Sequence, residues 1–215
     1  MNRRIASIAV AIGVLLLAVG GLTFVYQSSD VQPVRNMETS LQAALASEGA
    51  PTLGDPGAKV HIVEFLDPAC ETCALFYPLV KNWMQEVPGQ IRLSVRHLAF
   101  HEGAEHAVKA LEASRKQDKY WETLEALLAS QSAWTQHHRV LPEKIAPAIA
   151  GVGLDMERLG ADMNSMEVLR RIEKDKNDSI LLKVAKTPTY FVNGRPLPSF
   201  GAQQLADLVR EELEK

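Results

Sequence analysis

Two cysteines occur in the 215 residues, and they form one Cys-x-x-Cys pair, Cys70-Glu71-Thr72-Cys73. An apolar run from Val60 to Leu66 gives way through Asp67-Pro68 to a helical pattern, so both thiols fall on the first turn of a helix. Orphan amides and the helix dipole favour an anion there, which lowers the Cys70 thiol pKa and supplies a nucleophile at neutral pH. Cys73, one turn further in, is placed to attack a mixed disulfide formed on Cys70 and release the substrate. Other uses of two thiols fit less well. A zinc site needs two further ligands, and there is no second cysteine pair. A structural disulfide closing so small a loop restrains the unfolded chain little. A module that holds copper or a heavy metal through both thiols and a nearby histidine stays open as the alternative.

The elements around the pair read as α/β. VHIVEFL, from Val60, is apolar on both parities apart from His61 and Glu64, as a strand covered on both faces requires. The helix after it runs from Cys70 toward Val87 on Leu75, Phe76, Leu79, Val80 and Trp83, with Pro78 inside it where a kink is expected. Pro88-Gly89 is a turn, and Ile91 to Leu98 a second strand. From about Ala104 to Leu182 the periodicity is helical, broken by a loop around Trp134 to Pro142; the charged stretch Glu112 to Glu125 reads as the wet face of a helix. Tyr190 to Val192 returns to strand, Asn193-Gly194 turns a hairpin into Arg195 to Leu197, and Pro196 marks that last strand as an edge. A closing helix covers Ala202 to Leu213.

The first residues carry a different signal. Arg3 and Arg4 precede Ile5 to Tyr26, a run without a charge that as a helix of about 22 residues would be about 33 Å long, enough to cross a bilayer core. Length favours a retained anchor over residues 1–26, although Ala18-Val19-Gly20 would serve as a signal cleavage site. In either case the positive-inside rule keeps the arginines in the cytoplasm and exports the rest, where disulfides persist. Residues 27–57, polar and carrying Pro33, Pro51 and Pro56, read as a tether with one short helical pattern around Met37 to Leu45. A net charge of −3 gives no basic face and excludes a nucleic-acid binder.

VEFLDPACETC, Pro78 and TPTYFVNG together resemble the thioredoxin superfamily, and within it the DsbA-like branch, over about Ala58 to the C-terminus. The resemblance implies a thioredoxin fold with an inserted helical subdomain: a first half over 58–103, the insertion over 104–184 and a second half over 185–215. It implies protein thiol-disulfide oxidoreductase activity on cysteines of exported proteins, at the periplasmic side of a bacterial inner membrane, with no organic cofactor. Cys70 and Cys73 would be catalytic, with Glu64 moving a proton to and from Cys73 as the buried acid of the family does. Thr187 and Pro188 would form a cis-proline loop that pairs with an extended substrate backbone. Redox equivalents would come from a membrane partner, DsbB-like for an oxidase or DsbD-like for an isomerase or reductase. Many relatives carry Pro-His between the cysteines; here Glu71 and Thr72 stand there, and a carboxylate beside Cys70 implies a less stabilised thiolate and a weaker oxidant. Thr187 before the proline resembles the isomerase and reductase relatives as much as the oxidases.

No metal site is assigned to the histidines. His97 and His101 have helical ligand spacing, but His97 falls at a strand end, where that spacing does not bring side chains together. These two, with His106, His137 and His138, read as surface or core-edge residues, and Trp134 beside His137-His138 as part of a plain loop or of a partner-binding surface.

Overall fold

The structure, a computed structural model, describes residues 37–215. The expected membrane or signal helix over 1–26 and the first part of the tether lie outside the described residues. Among the described residues no helix is long and apolar enough to cross a membrane. The folded unit that carries the cysteine pair spans Ala43–Lys215.

Its centre is a five-stranded sheet. Strand β1 is Thr52–Leu53, β2 Val60–Leu66, β3 Ile91–His97, β6 Thr189–Val192 and β7 Arg195–Pro196, in the spatial order β1-β3-β2-β6-β7. β2 runs parallel to β3 and antiparallel to β6, and β1 and β7 are antiparallel edges. β2 is thus central, which its two-faced apolar sequence demands: every residue but His61 is buried. Val60, Ile62 and Leu66 face one apolar cluster and Val63 and Phe65 another, so Glu64, on the parity of Ile62 and Leu66, points into the larger cluster that also holds both cysteines. Asn193 and Gly194 turn between β6 and β7 with φ of 48° and 78°, the paired positive values of a tight hairpin. Pro196 lies on the edge strand, where its missing N–H costs nothing.

Helix α1, Glu71–Glu86, follows β2 and buries Cys73, Tyr77 and Val80 at spacings of four and three, one face of a helix, against the sheet. Pro78 lies inside it. The insertion comprises α2 (Ala104–Ser114), α3 (Tyr120–Ala129), α4 (Gln131–Trp134), a small hairpin of β4 (Thr135–Gln136) and β5 (Arg139–Val140), α5 (Pro142–Ile149), α6 (Met156–Asp162) and α7 (Met166–Leu181). Helix α8, Ala202–Glu214, closes the fold with Leu205, Leu208 and Val209 buried.

The structure departs from the sequence reading at four places. Thr52–Leu53, inside the segment read as tether, pairs with Ser94 and Leu93 of β3, and a two-residue strand held partly by a Thr52 to Ser94 hydroxyl contact of 2.7 Å leaves no periodic signature. The loop around Trp134 contains the β4–β5 hairpin, and Trp134 is fully buried with its indole N–H on the Leu127 carbonyl, so it lines no partner surface. Glu112 is not on a wet face. It is buried and accepts hydrogen bonds from His97 Nδ1 at 3.0 Å and Arg115 at 2.9 Å. His97 is likewise wholly buried between Glu112 and the Tyr120 hydroxyl, 2.9 Å from Nε2. These groups join Arg96, also buried, which donates to Asp175, Asp178 and the Ala44 carbonyl. β3 therefore meets the insertion through a paired polar layer, which charge content alone reads as surface.

Candidate active site

The end of β2 and the start of α1 place the thiols. Cys70 is the residue that precedes the helix, with extended backbone (φ −82°, ψ 118°), and it is 7% exposed. Its sulfur lies 3.5 Å from the Thr187 carbonyl, and the Thr187-Pro188 peptide is cis. Strand β6 starts one residue later and pairs with β2, so the sheet register itself brings the 187–188 loop to the cysteine. Both cysteines are free thiols.

The environments of the two thiols drive their protons apart. The Cys70 thiol is pulled down to about 6, first by the hydrogen bond that the Cys73 thiol donates to it, against the cost of burial, and further by the amides of Cys73 and Thr72 and by the Thr187 hydroxyl. Cys73 is fully buried and is held firmly protonated, by loss of water first, then by that same hydrogen bond and by the negative charge of Glu64 and Cys70. At pH 7 a thiol of pKa about 6 is roughly nine-tenths ionised. The arrangement thus holds one nucleophile ready and keeps the second in reserve as a thiol.

Glu64 has no solvent exposure and stands directly across the sheet from Tyr190, whose hydroxyl donates to Oε1 at 2.9 Å. Its other oxygen, Oε2, is buried without a hydrogen-bond partner. Burial pushes the carboxyl up to about 8, the Tyr190 hydrogen bond opposing and the Cys70 charge adding to it. A carboxyl poised near 8 beside a reserve thiol can give or take a proton at neutral pH.

Glu71 is largely exposed, and its carboxylate pairs with His138 Nδ1 at 3.3 Å. A charge in water, paired with an imidazole, is screened from Cys70. Among the groups that set the Cys70 thiol, the hydrogen bonds from Cys73, Thr72 and the Thr187 side chain act to lower it, and Glu71 is not one of them.

Asp67 was legible only as the end of a strand, yet it holds the site together. Fully buried, its carboxylate accepts from the backbone N–H groups of Ala69, Phe100 and His101 and from His101 Nδ1, all at 2.8–2.9 Å. The active-site turn and the loop after β3 are thereby fixed to one anchor. Gln131 adds a second tie, donating to the Pro68 carbonyl at 2.8 Å. Tyr190 also went unassigned; the signal for it is its register opposite Glu64, which follows once β2 and β6 are paired.

A dithiol of this kind at a helix start, under a buried acid and against a cis-proline loop, defines a thioredoxin-fold redox protein. The sequence matches the Thioredoxin family over residues 46–210. It is 26% identical over 182 residues to Disulfide bond formation protein D of Bacillus subtilis, covering 78% of this chain and 77% of that protein. It is 31% identical over 144 residues, 67% of this chain, to the Na(+)/H(+) antiporter NhaA of Herminiimonas arsenicoxydans, of which it spans 22% of the length. Among solved structures, a thioredoxin-like oxidoreductase of Silicibacter pomeroyi superposes with a TM-score of 0.68 at 29% identity, over 78% of this chain and 94% of the other. Oxidised BdbD of Bacillus subtilis superposes with a TM-score of 0.69 at 25% identity, over 78% and 95%. The chain belongs to the thioredoxin family and is similar to DsbA-like thiol-disulfide oxidoreductases.

Proposed function

We propose that the chain exchanges disulfides with cysteines of exported proteins, on the outer side of a bacterial cytoplasmic membrane, with residues 1–26 as its anchor. The Cys70 thiolate attacks a substrate disulfide, forming a mixed disulfide and releasing one substrate thiolate. Cys73, its proton passed to Glu64, then attacks the Cys70 sulfur, expels the second substrate thiolate and closes the Cys70–Cys73 disulfide. Run backwards, the same steps oxidise a substrate dithiol and leave Cys70 and Cys73 reduced. Thr187 and Pro188 hold the substrate backbone as an added strand beside Cys70. A membrane redox partner, DsbB-like or DsbD-like, resets the pair and fixes the direction.

The observation that carries this reading is the split between the two thiols, Cys70 down to about 6 and Cys73 held protonated over a carboxyl poised at about 8. The name of the Bacillus subtilis relative, Disulfide bond formation protein D, supports the activity. A Cys70 thiol nearer to thioredoxin (about 7) than to DsbA (about 3.5) supports a potential between theirs, which are about −270 and −120 mV.

The test is capture of substrate. Incubated with a reduced exported protein and an oxidant, Cys73→Ser should accumulate a mixed disulfide through Cys70, and Cys70→Ser should form none and lose insulin-reducing activity. A Cys70→Ser protein that retains exchange, or thiols that bind copper tightly and form no mixed disulfide, would overturn it.

A further inference from the structure

Beside the dithiol, and apart from it, three side chains from three different segments converge. Glu71 opens α1, His101 lies in the loop after β3, and His138 lies in the β4–β5 turn; one ligand atom of each is within 4.8 Å of the others. We propose that Glu71, His101 and His138 form a binding site for a divalent transition-metal ion of the zinc class. This site does not depend on the thiol chemistry above.

His101 is the fixed member. Its Nδ1 is 2.8 Å from Asp67 Oδ2, and Asp67 also accepts three backbone N–H groups, so the carboxylate is an acceptor in every contact. With Nδ1 donating to Asp67, the lone pair of Nε2 is the one left for a metal ion. Metal-ligating histidines are set in this way by a carboxylate behind the ring, which fixes tautomer and orientation.

His138 is brought over it by an unusual turn. His137 and His138 both have positive φ, 50° and 60°, the backbone of a two-residue hairpin that commonly takes glycine or asparagine. The turn is tied to the His101 loop by Val140 N–H on the Glu102 carbonyl at 2.9 Å and by the Arg139–Glu102 ion pair at 2.7 Å. The His101 and His138 rings lie near parallel, 6.3 Å between centroids, and His138 Nδ1 is 3.3 Å from Glu71 Oε1.

Two imidazoles and a carboxylate are a ligand set that zinc takes with one position left open, whereas calcium and magnesium want oxygen donors throughout. Metal–ligand bonds of about 2.0–2.2 Å place neighbouring donors about 3.3 Å apart. Glu71 and His138 are exposed at 59% and 76% of their side chains, so both can rotate to close on an ion held at His101.

Calorimetric titration of the oxidised full-length chain with zinc chloride tests this, because the disulfide removes the thiols as ligands. One zinc ion per chain should bind, equally in Cys70→Ser/Cys73→Ser. Glu71→Gln and His138→Ala, both on exposed side chains, should weaken it at least tenfold. Zinc bound only when the thiols are reduced, undiminished binding in both single variants, or no binding at all would overturn the site.

Discussion

Glu64 and Glu112 are both almost wholly excluded from solvent, at 0% and 2% exposure, yet their protons are held in opposite directions. Burial pushes both up. At Glu64 a single hydroxyl opposes it, one carboxylate oxygen has no partner, and the carboxyl rises to about 8. At Glu112 the hydrogen bond from His97 and the Arg115 guanidinium outweigh burial, and the carboxyl stays below its ordinary value. One protein thus contains a carboxyl left short of partners, beside the dithiol, and another paired on both oxygens, where helices are held to a sheet. The lesson is that burial alone does not tune an acid; the number and charge of its partners decide the sign.

The polar layer offers the largest effect. Arg96→Ala would leave the buried Asp175 without its cation, while Asp178 keeps Lys174, and loss of one partner of a buried pair costs about 3–5 kcal/mol. At about 2–4 °C per kcal/mol for a chain of this size, the melting temperature should fall by about 10 °C. A fall of under 2 °C in a thermal melt would show that the layer is not what holds the insertion to β3.

Glu64→Gln should act in the other direction. The folded state keeps this proton to about pH 8, whereas the unfolded chain releases it near 4.5, so stability is lost as pH rises from about 4.5 to about 8. Removing the charge should leave stability nearly unchanged at pH 4 and raise it by a few kcal/mol at pH 8.5, while slowing closure of the Cys70–Cys73 disulfide. Melts of both proteins across that range check the stability term. A variant less stable than wild type at pH 8.5 would remove Glu64 from the tuned class.

Much of this was legible beforehand. The strand–helix–strand opening, the helical block, the hairpin at Asn193-Gly194 and the edge strand with Pro196 follow from periodicity and turn chemistry, and the structure has them. The cis peptide at Pro188 came through resemblance, since a Thr-Pro pair by itself says little about its isomer. What escaped were residues whose role depends on contacts distant in sequence. Asp67 reads as a strand terminator until the 100–101 backbone closes on it, and His138 reads as loop until its hairpin folds over His101. Arg96, His97 and Glu112 look solvent-facing by type, and only the packing of the insertion on β3 buries them.

The most direct test is the titration of the two thiols in the reduced protein, followed by thiolate absorbance or by alkylation rate against pH, with Glu71→Ala in parallel. One thiol should titrate near pH 6 and the other should stay protonated through pH 9. Glu71→Ala, the smallest effect expected, should move the first step by less than about half a unit, because that carboxylate is exposed and screened. A first step near 9 in the wild type, or two thiols titrating together, would contradict the division of labour between Cys70 and Cys73.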